Sequence, residues 1–477
     1  MRTNQRILRG DSFRDPVARA DVIVIGSGYS GLAAAIEAGN AGASVIIFEK
    51  RKSCGGNSII SSGMLAAVGS PIQEREGISD SPELMYKDML RAGRGRNDPA
   101  LVKVVAENSG QILWWTINEL GVAYKDMLEQ SGGHSVPRSH IPYNASGSAI
   151  IRPLLAKAKG LGVEIRTKTR LTRLLKNSSG AIKGVETADE SQTLSYVRAG
   201  KAVVLAAGGF AGDVHFRALH DSRLTEDIGN TNRPGTTAET LIEAMRVGAK
   251  AVDLSCIQLA PWTCPDEKSL GFGALFASCG VFPYGILINP ENGKRFVNEL
   301  ADRKTCVDAI LRIGRPCIGI ADTNGLKSSD YVMKNINYNI EKYIQRGVVK
   351  RFGRSEDIAG ACNIPHKSLE DTLIRFNNYV KTSRDPDFKK PFLKAARPVV
   401  PPYYVIRVWP KVHHTMGGLR INTKAQALNS KDEPIKGLYA AGEVTGGIHG
   451  ASRLSDCATT ECLIFGRIAG RNAALEP

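Results

Sequence analysis

Short apolar runs broken by glycine and polar turns recur along the whole chain, and their spacing alternates between that of strands and that of helices. The first run, Asp21 to Ile25, is rich in β-branched residues, the pattern of a parallel strand buried on both faces. It ends in Gly26-Ser27-Gly28-Tyr29-Ser30-Gly31. The alanine-rich stretch Leu32 to Gly39 then predicts a helix closed by Gly42, and Ser44 to Phe48 predicts a second strand ending at Glu49. Strand, glycine turn, helix and strand make a βαβ unit. Further on, Lys201 to Gly209 reads as a strand running into small residues, and Lys367 to Val380 has the apolar spacing of a packing helix. Ala396 to Tyr404 reads as an extended, proline-rich link, and Gly437 to Gly450 as a strand, a glycine turn and an acid. Leu454 to Thr459 opens a final helix, with Asp456 suited to its N-cap. No internal repeat or low-complexity segment interrupts this pattern.

At 477 residues the chain exceeds one small core, so the alternation of strands and helices implies a large α/β fold or several domains. Hydrophobic residues at 42% and charged residues at 23% exclude a disordered or fibrous chain. The 49 glycines are many for a globular enzyme and point to sharp turns or close approach of backbone to a ligand. The net charge of +16 would suit nucleic acid, an acidic partner or an anionic substrate. Its distribution disfavours the first. The densest basic stretches, Arg2 to Arg19, Lys342 to Arg354 and Lys381 to Arg397, are interrupted by acids or apolar residues, and no nucleic-acid motif accompanies them. Nine cysteines without a Cys-x-x-Cys suggest a reduced, cytoplasmic chain that carries no c-type haem of its own, and no metal site is expected. The first twenty residues lack the apolar core of a signal peptide, and no membrane span is expected. Removal of a leader would leave a periplasmic location open.

The glycine turn has a chemical reading. Its first two glycines permit a tight turn and close approach to a pyrophosphate, the third lets the helix pack on the strand, and the helix N-terminus supplies amide donors. Glu49 is placed to accept the hydroxyls of an adenosine ribose. FAD and NAD both satisfy this much. A small-residue loop follows at Gly55-Gly56-Asn57-Ser58 and Ser61-Ser62-Gly63-Met64, and two more glycine-rich strand ends lie at Ala207-Gly208 and Gly442-Glu443. Strand ends so far apart in sequence, converging on one extended cofactor, give the layout of a flavoprotein.

Several stretches carry a family resemblance: GSGYSGLAAAIEAGNAGASVIIFEK, the GGNS loop, SGGHSVPRSH at Ser131 to His140, GKRFVNELADR at Gly293 to Arg303, HHTMGGLRINTKAQALN at His413 to Asn429, and the terminal GLYAAGEVTGGIHGASRL. In these the chain resembles the flavoprotein of the fumarate reductase and succinate dehydrogenase family, in particular the soluble flavocytochrome c type and its urocanate reductase-like relatives, without a haem domain. The resemblance runs from Asp21 to the C-terminus. It implies an α/β fold: a polar leader (1–20), a Rossmann-like FAD-binding domain (21–257 plus 412–477) and an inserted α+β clamp domain (258–411) that closes over the isoalloxazine ring. It also implies FAD contacts from Gly26, Gly28, Ser30, Gly31, Glu49 and Lys50 and from Gly56, Asn57, Ser58, Ser62, Gly63 and Met64. Ala207, Gly208, His414, Gly442, Glu443, Ala458 and Thr459 complete that set. The flavin is expected to be non-covalent, because Ser58 to Ala67 has no histidine where membrane-bound members attach it. Arg303, His413 and Arg453 fall at the family's active-site positions. Arg453 and His413 are expected to hold a substrate carboxylate, hydride passes from flavin N5 to the β-carbon, and Arg303 protonates the α-carbon.

Departures from the family pattern bear on the substrate. Fumarate reducers carry a histidine where this chain has Ala260, and a Glu-x-x-Arg pair where Ala277 to Tyr284 offers neither acid nor base. Trp262 to Gly271 is an insertion, and a family methionine is replaced near Gln130 and Ser131. The expected substrate is therefore a small anionic enoate with one carboxylate, such as an aryl acrylate, an imidazole acrylate or a short branched acrylate, rather than fumarate. Trp262 could stack on a substrate ring or simply pack, and Tyr284, Asp302 and Asp308 are the candidates to resupply the proton of Arg303. Asp456 and Cys457 could cap the last helix or tune the flavin, and His134 and His140 read as loop histidines. Electrons are expected from a separate cytochrome, flavin or reduced quinone-linked carrier. A ketone- or steroid-type flavin dehydrogenase and a non-catalytic flavin electron carrier are the alternative readings.

Overall fold

The apolar run after the leader forms β1 (Ala18–Ile25) in the computed structural model, which describes residues 17–130, 132–328 and 340–477. The first sixteen residues, with most of the Arg2 to Arg19 basic stretch, and Ser131 lie outside the described residues. β1 starts three residues before the apolar run because Ala18 to Ala20 pair with Val197 to Ala199 ahead of a bulge. Helix α1 (Tyr29–Asn40) starts inside the glycine turn rather than at Leu32, since Ser58 Oγ accepts the Tyr29 amide at 3.1 Å and replaces the cap that Gly28 cannot supply.

β2 (Val45–Phe48), β3 (Glu164–Arg166), β4 (Leu194–Leu205) and β5 (Pro434–Ala440) join β1 in one parallel array of order β5-β4-β1-β2-β3. The register aligns Val22 with Val45 on one side and with Ala202 on the other, and brings Ile25, Phe48 and Leu205 to the same end. β4 begins ahead of Lys201 because its first half pairs antiparallel with Ile182–Ala188. Val22, Ile23 and Val24 are fully buried, which is why the strand carries no polar face. The final helix, α2 (Cys457–Leu475), lies on α1. That contact is made by glycine. A Cβ on Gly466 would stand 2.5 Å from the Ser30 carbonyl oxygen, and one on Gly470 would stand 2.0 Å from that of Ala34.

The chain divides into two compact units. Of the described residues, one comprises 17–222 together with Arg233–Ile257 and His414–Pro477; the other comprises Arg223–Asn232 and those within Gln258–His413. The first unit holds the parallel array. The second is α+β, with an antiparallel sheet whose strands run in the order Ile286–Ile288, Cys317–Asp322, Tyr403–Val408 and Val349–Phe352. Its helix His366–Thr382 buries Leu369, Leu373, Phe376 and Val380, one stripe at helical spacing, against that sheet's core. Among the described residues, no helix is long and apolar enough to cross a membrane, and no group of three His, Cys, Asp or Glu side chains could hold a metal ion.

Candidate active site

The three glycines of the turn do different work. Gly26 has φ +107°, and a Cβ there would stand 2.3 Å from the Ala206 carbonyl oxygen, so only glycine fits between β1 and β4. A Cβ on Gly31 would stand 2.0 Å from the Gly26 carbonyl oxygen, so its absence lets α1 leave the strand closely. Gly28 is different. At φ −74° and ψ −169° any residue could adopt its backbone, and its Cβ would meet only Ser58 Oγ, at 3.3 Å. What Gly28 keeps clear is the space beyond the first amides of α1, where an anion is stabilised by unpaired N–H groups and the helix dipole.

That space is an open cleft in the first unit. Of the expected cofactor contacts, Gly26, Gly28, Ser30, Glu49, Lys50, Gly56, Asn57, Ser58, Ala207, Gly208 and Glu443 line it. Gly31, Ser62, Gly63, Met64, His414, Gly442, Ala458 and Thr459 are not in its wall. Glu49 Oε2 accepts from the Ser27 hydroxyl at 2.5 Å and the Ser27 amide at 3.2 Å, and Oε1 accepts the Arg51 amide at 2.9 Å. The carboxylate is thereby oriented, and Oε1 keeps acceptor capacity for a ribose hydroxyl. Lys50 Nζ donates to Thr237 Oγ1 at 2.8 Å and pairs with Glu239 at 3.2 Å. Sequence reasoning missed the segment Arg233 to Thr236, which forms a wall of the cleft. The Arg233 amide donates to Asn57 Oδ1 at 2.8 Å, and its guanidinium donates to Ser53 Oγ at 3.0 Å. The Arg-Pro-Gly turn was its only signal. Amides at a helix start, hydroxyls, Arg51, Arg233 and Lys50, with Glu49 and Glu443 as the two acids, are a set that fits the pyrophosphate and ribose of FAD.

Glu443 is deeply buried. Burial pushes its carboxyl up to about 7, against the opposing bonds from the Thr415 amide at 3.0 Å and the Thr415 hydroxyl at 3.3 Å. His414 Nδ1 stands 3.4 Å from Glu443 Oε1, and the His414 and His449 rings meet edge to face at 5.7 Å. Burial, helped by the charge of Arg453, pushes His449 down to about 3, and burial pushes Glu461 up to about 8. At neutral pH the cluster therefore holds a protonated Glu461, a neutral His449 and a Glu443 near its midpoint. Arg453, in the same unit, is half-buried and donates from Nη1 to the Leu454 carbonyl at 3.3 Å.

Arg303 and His413 belong to the second unit. Arg303 is the first residue of the helix Arg303–Ile313, and Asp302 caps that helix by accepting the Lys304 and Thr305 amides at 3.1 and 3.2 Å. The Arg303 guanidinium donates from Nη1 to Gln258 Oε1 at 3.2 Å and lies over Trp262, with its carbon 4.8 Å from the ring centroid. His413 Nδ1 stands 2.8 Å from the Thr231 hydroxyl, a contact that fixes the plane of its ring. Two of the candidate proton sources are engaged elsewhere. Asp302 serves as the cap and accepts the Thr305 hydroxyl at 2.6 Å. Asp308 is raised by partial burial, but bonds from Lys304 at 2.6 Å and Arg223 at 3.0 Å outweigh this and hold it below the ordinary range.

Two expectations require correction. His140 lies in the strand Ser139–Pro142, not in a loop, and burial pushes it down to about 4. Asp456 occupies the N-cap position of α2, but with φ +61° and no side-chain bond to the helix; its carboxylate accepts the Ser139 hydroxyl at 2.7 Å instead. The neighbouring loop is tied by ions. Arg138 is completely buried and donates to both oxygens of Asp80, at 2.8 and 3.0 Å, and to Asp88 at 2.9 Å, while His134 Nε2 stands 2.8 Å from the Ser455 carbonyl oxygen.

Residues 21–458 match the FAD binding domain family. The chain belongs to that family. It is 40% identical over 465 residues to the acrylate reductase flavoprotein subunit of Shewanella woodyi, a match that covers 94% of this chain and 90% of that protein. It is 37% identical over 463 residues to the urocanate reductase of Eggerthella lenta, covering 95% of this chain and 74% of that one. Among solved structures, the open conformation of a flavocytochrome c3 fumarate reductase matches with a TM-score of 0.82 at 33% identity, covering 97% of this chain and 79% of that chain. Membership of the FAD binding domain family makes FAD the cofactor of this protein, and the resemblance read from the glycine and HHTMGG motifs is borne out.

Proposed function

We propose that this protein is an FAD-dependent reductase of the carbon–carbon double bond of an α,β-unsaturated carboxylate, with a monocarboxylate preferred over fumarate. The observation that carries this reading is the glycine-floored cleft of the first unit, in a chain that belongs to an FAD family and is similar throughout to reductases of acrylate, urocanate and fumarate. FAD, when bound, supplies the hydride. Gly26, Gly28 and the first amides of α1 hold the pyrophosphate, Glu49 the ribose, and the Arg233 to Thr236 segment closes the same groove.

Arg453 and His413 bind the substrate carboxylate. A guanidinium offers two parallel donors, and its charge is most effective where negative charge accumulates during reduction of a conjugated acid. The Thr231 contact keeps the His413 ring in one orientation for this task. Arg303 hands a proton to the α-carbon and is then recharged. Ala260, in place of a histidine, leaves a second carboxylate without that donor, which supports the monocarboxylate preference. A separate electron donor, a cytochrome, a flavin or a reduced quinone-linked carrier, is supported by a relative that is itself named a flavoprotein subunit. Nine cysteines without a disulfide framework support a reducing, cytoplasmic compartment.

The test is an anaerobic assay with reduced viologen against acrylate, methacrylate, urocanate, cinnamate and fumarate. Turnover of a monocarboxylate above that of fumarate is expected, and no turnover of any enoate by protein with a full complement of FAD refutes the reading. Arg303→Lys should retain fold and FAD and lose turnover. Persisting turnover in that variant would show that the proton comes from another group.

A further inference from the structure

The insertion Trp262 to Gly271 has no part in the cofactor cleft, yet its first residue touches the proposed proton donor. We propose that Trp262 is a positioning residue for Arg303: its indole face is the platform that holds the guanidinium in the one pose from which a proton can reach the substrate. The proposal rests on the reading of Arg303 as that donor.

Three observations within the second unit support it. First, the guanidinium lies over the indole with its carbon 4.8 Å from the ring centroid, well inside the range of about 6 Å in which a cation is attracted by an aromatic face. Second, the platform is itself fixed. Thr263, the next residue, is fully buried; its hydroxyl donates to the Trp409 carbonyl at 2.6 Å, and its own carbonyl accepts the Trp409 amide at 2.9 Å. Phe282 meets the indole edge on at 6.3 Å. Third, Gln258 Oε1, in a buried side chain, accepts from Nη1 at 3.2 Å, so the guanidinium is held on one face by the indole and at one edge by the amide. An arginine on a flexible stem, at the first turn of a helix, would otherwise sample many rotamers. A proton donor in particular is sensitive to this, because a displacement of about 1 Å can cost about 100-fold in rate.

The test compares Trp262→Phe and Trp262→Leu with the parent, each as the full chain loaded with FAD. Trp262→Leu removes the aromatic face of a half-buried contact and should lower kcat about 5- to 30-fold, the range between an exposed and a desolvated cation–π contact. The KM for acrylate and the binding of propionate, read as a perturbation of the flavin absorption, should stay within about twofold, since the residues that hold the carboxylate are untouched. The solvent deuterium isotope effect on kcat should rise as proton transfer becomes rate-limiting. Trp262→Phe keeps a smaller aromatic face and should recover most of kcat and return the solvent isotope effect toward that of the parent. Equal kcat in the two variants, a kcat for the leucine variant within about threefold of the parent, or weakened propionate binding with unchanged kcat would each overturn the proposal. Arg303→Lys separates this from the underlying reading. If that variant is inactive and Trp262→Leu is normal, only the role of Trp262 falls; if Arg303→Lys turns over normally, the proton-donor reading falls as well.

Discussion

Replacing Gly28 by alanine separates the demands of the fold from those of the cofactor. With φ −74° and ψ −169°, alanine meets no backbone strain there, and its one close contact is Ser58 Oγ at 3.3 Å, which a shift of a few tenths of an ångström relieves. Loss of glycine also reduces the freedom of the unfolded chain, a gain of about 0.4–1 kcal/mol that offsets the contact, so stability of the apoprotein should change by no more than about 0.5 kcal/mol. The effect on FAD is of another size. A methyl group over the start of α1 would push a pyrophosphate off its amides, and each bond lost to a charged group is worth about 1.5–3 kcal/mol, or about 10- to 100-fold in affinity. Gly26→Ala and Gly31→Ala serve as controls, because their Cβ atoms would stand 2.3 and 2.0 Å from backbone oxygens and should prevent normal folding. Titration of the apoprotein with FAD by flavin fluorescence, beside thermal unfolding, gives both quantities. Native affinity in a folded Gly28→Ala variant would show that the dinucleotide does not cross the N-terminus of α1.

Arg138→Leu should destabilise the protein by about 3–5 kcal/mol in urea titrations, since it leaves the buried carboxylate of Asp80 without its guanidinium and that of Asp88 with the exposed Arg91 alone; a loss below about 1 kcal/mol would contradict that assignment. Glu461 binds its proton more tightly when folded, at about 8 against an ordinary 4.5, so the stability linked to it is complete below pH 4.5 and declines as the pH rises through 8. Glu461→Gln should abolish that decline and exceed the parent above pH 8 by at most about 5 kcal/mol, the equivalent of that displacement at about 1.36 kcal/mol per decade of proton affinity; parallel stability curves for the two proteins would show that the group is not buried as described. At Asp456, which combines φ +61° with the bond to Ser139, asparagine should be tolerated, whereas alanine should cost about 2 kcal/mol by keeping the left-handed strain and losing the bond; equal stability of the two variants in thermal melts would refute this.

The glycine turn, its flanking strands and the packing helix near Lys367 to Val380 were legible because each is written locally. A β-branched run, a helical stripe or a glycine at positive φ carries its reason within a few residues. The boundaries were less so: α1 starts early because Ser58, far along the chain, caps it, and β1 starts early because β4 reaches past the bulge to pair with it. Asp456 was read as a cap from the residues beside it and bonds instead to Ser139, more than three hundred positions away.

By itself, then, the amino-acid sequence determined the α/β class, the family, FAD as cofactor and the residues proposed for chemistry, since these depend on short motifs and their order. Only the tertiary structure decided that Arg233 to Thr236 would wall the cleft, that burial would raise the carboxyls of Glu443 and Glu461 to about 7 and about 8, and that Trp262 would lie under Arg303. Each of these is a matter of burial or of partners distant along the chain. Desolvation acts on a carboxyl, and an aromatic face on a guanidinium, only through the neighbours that folding assembles around them.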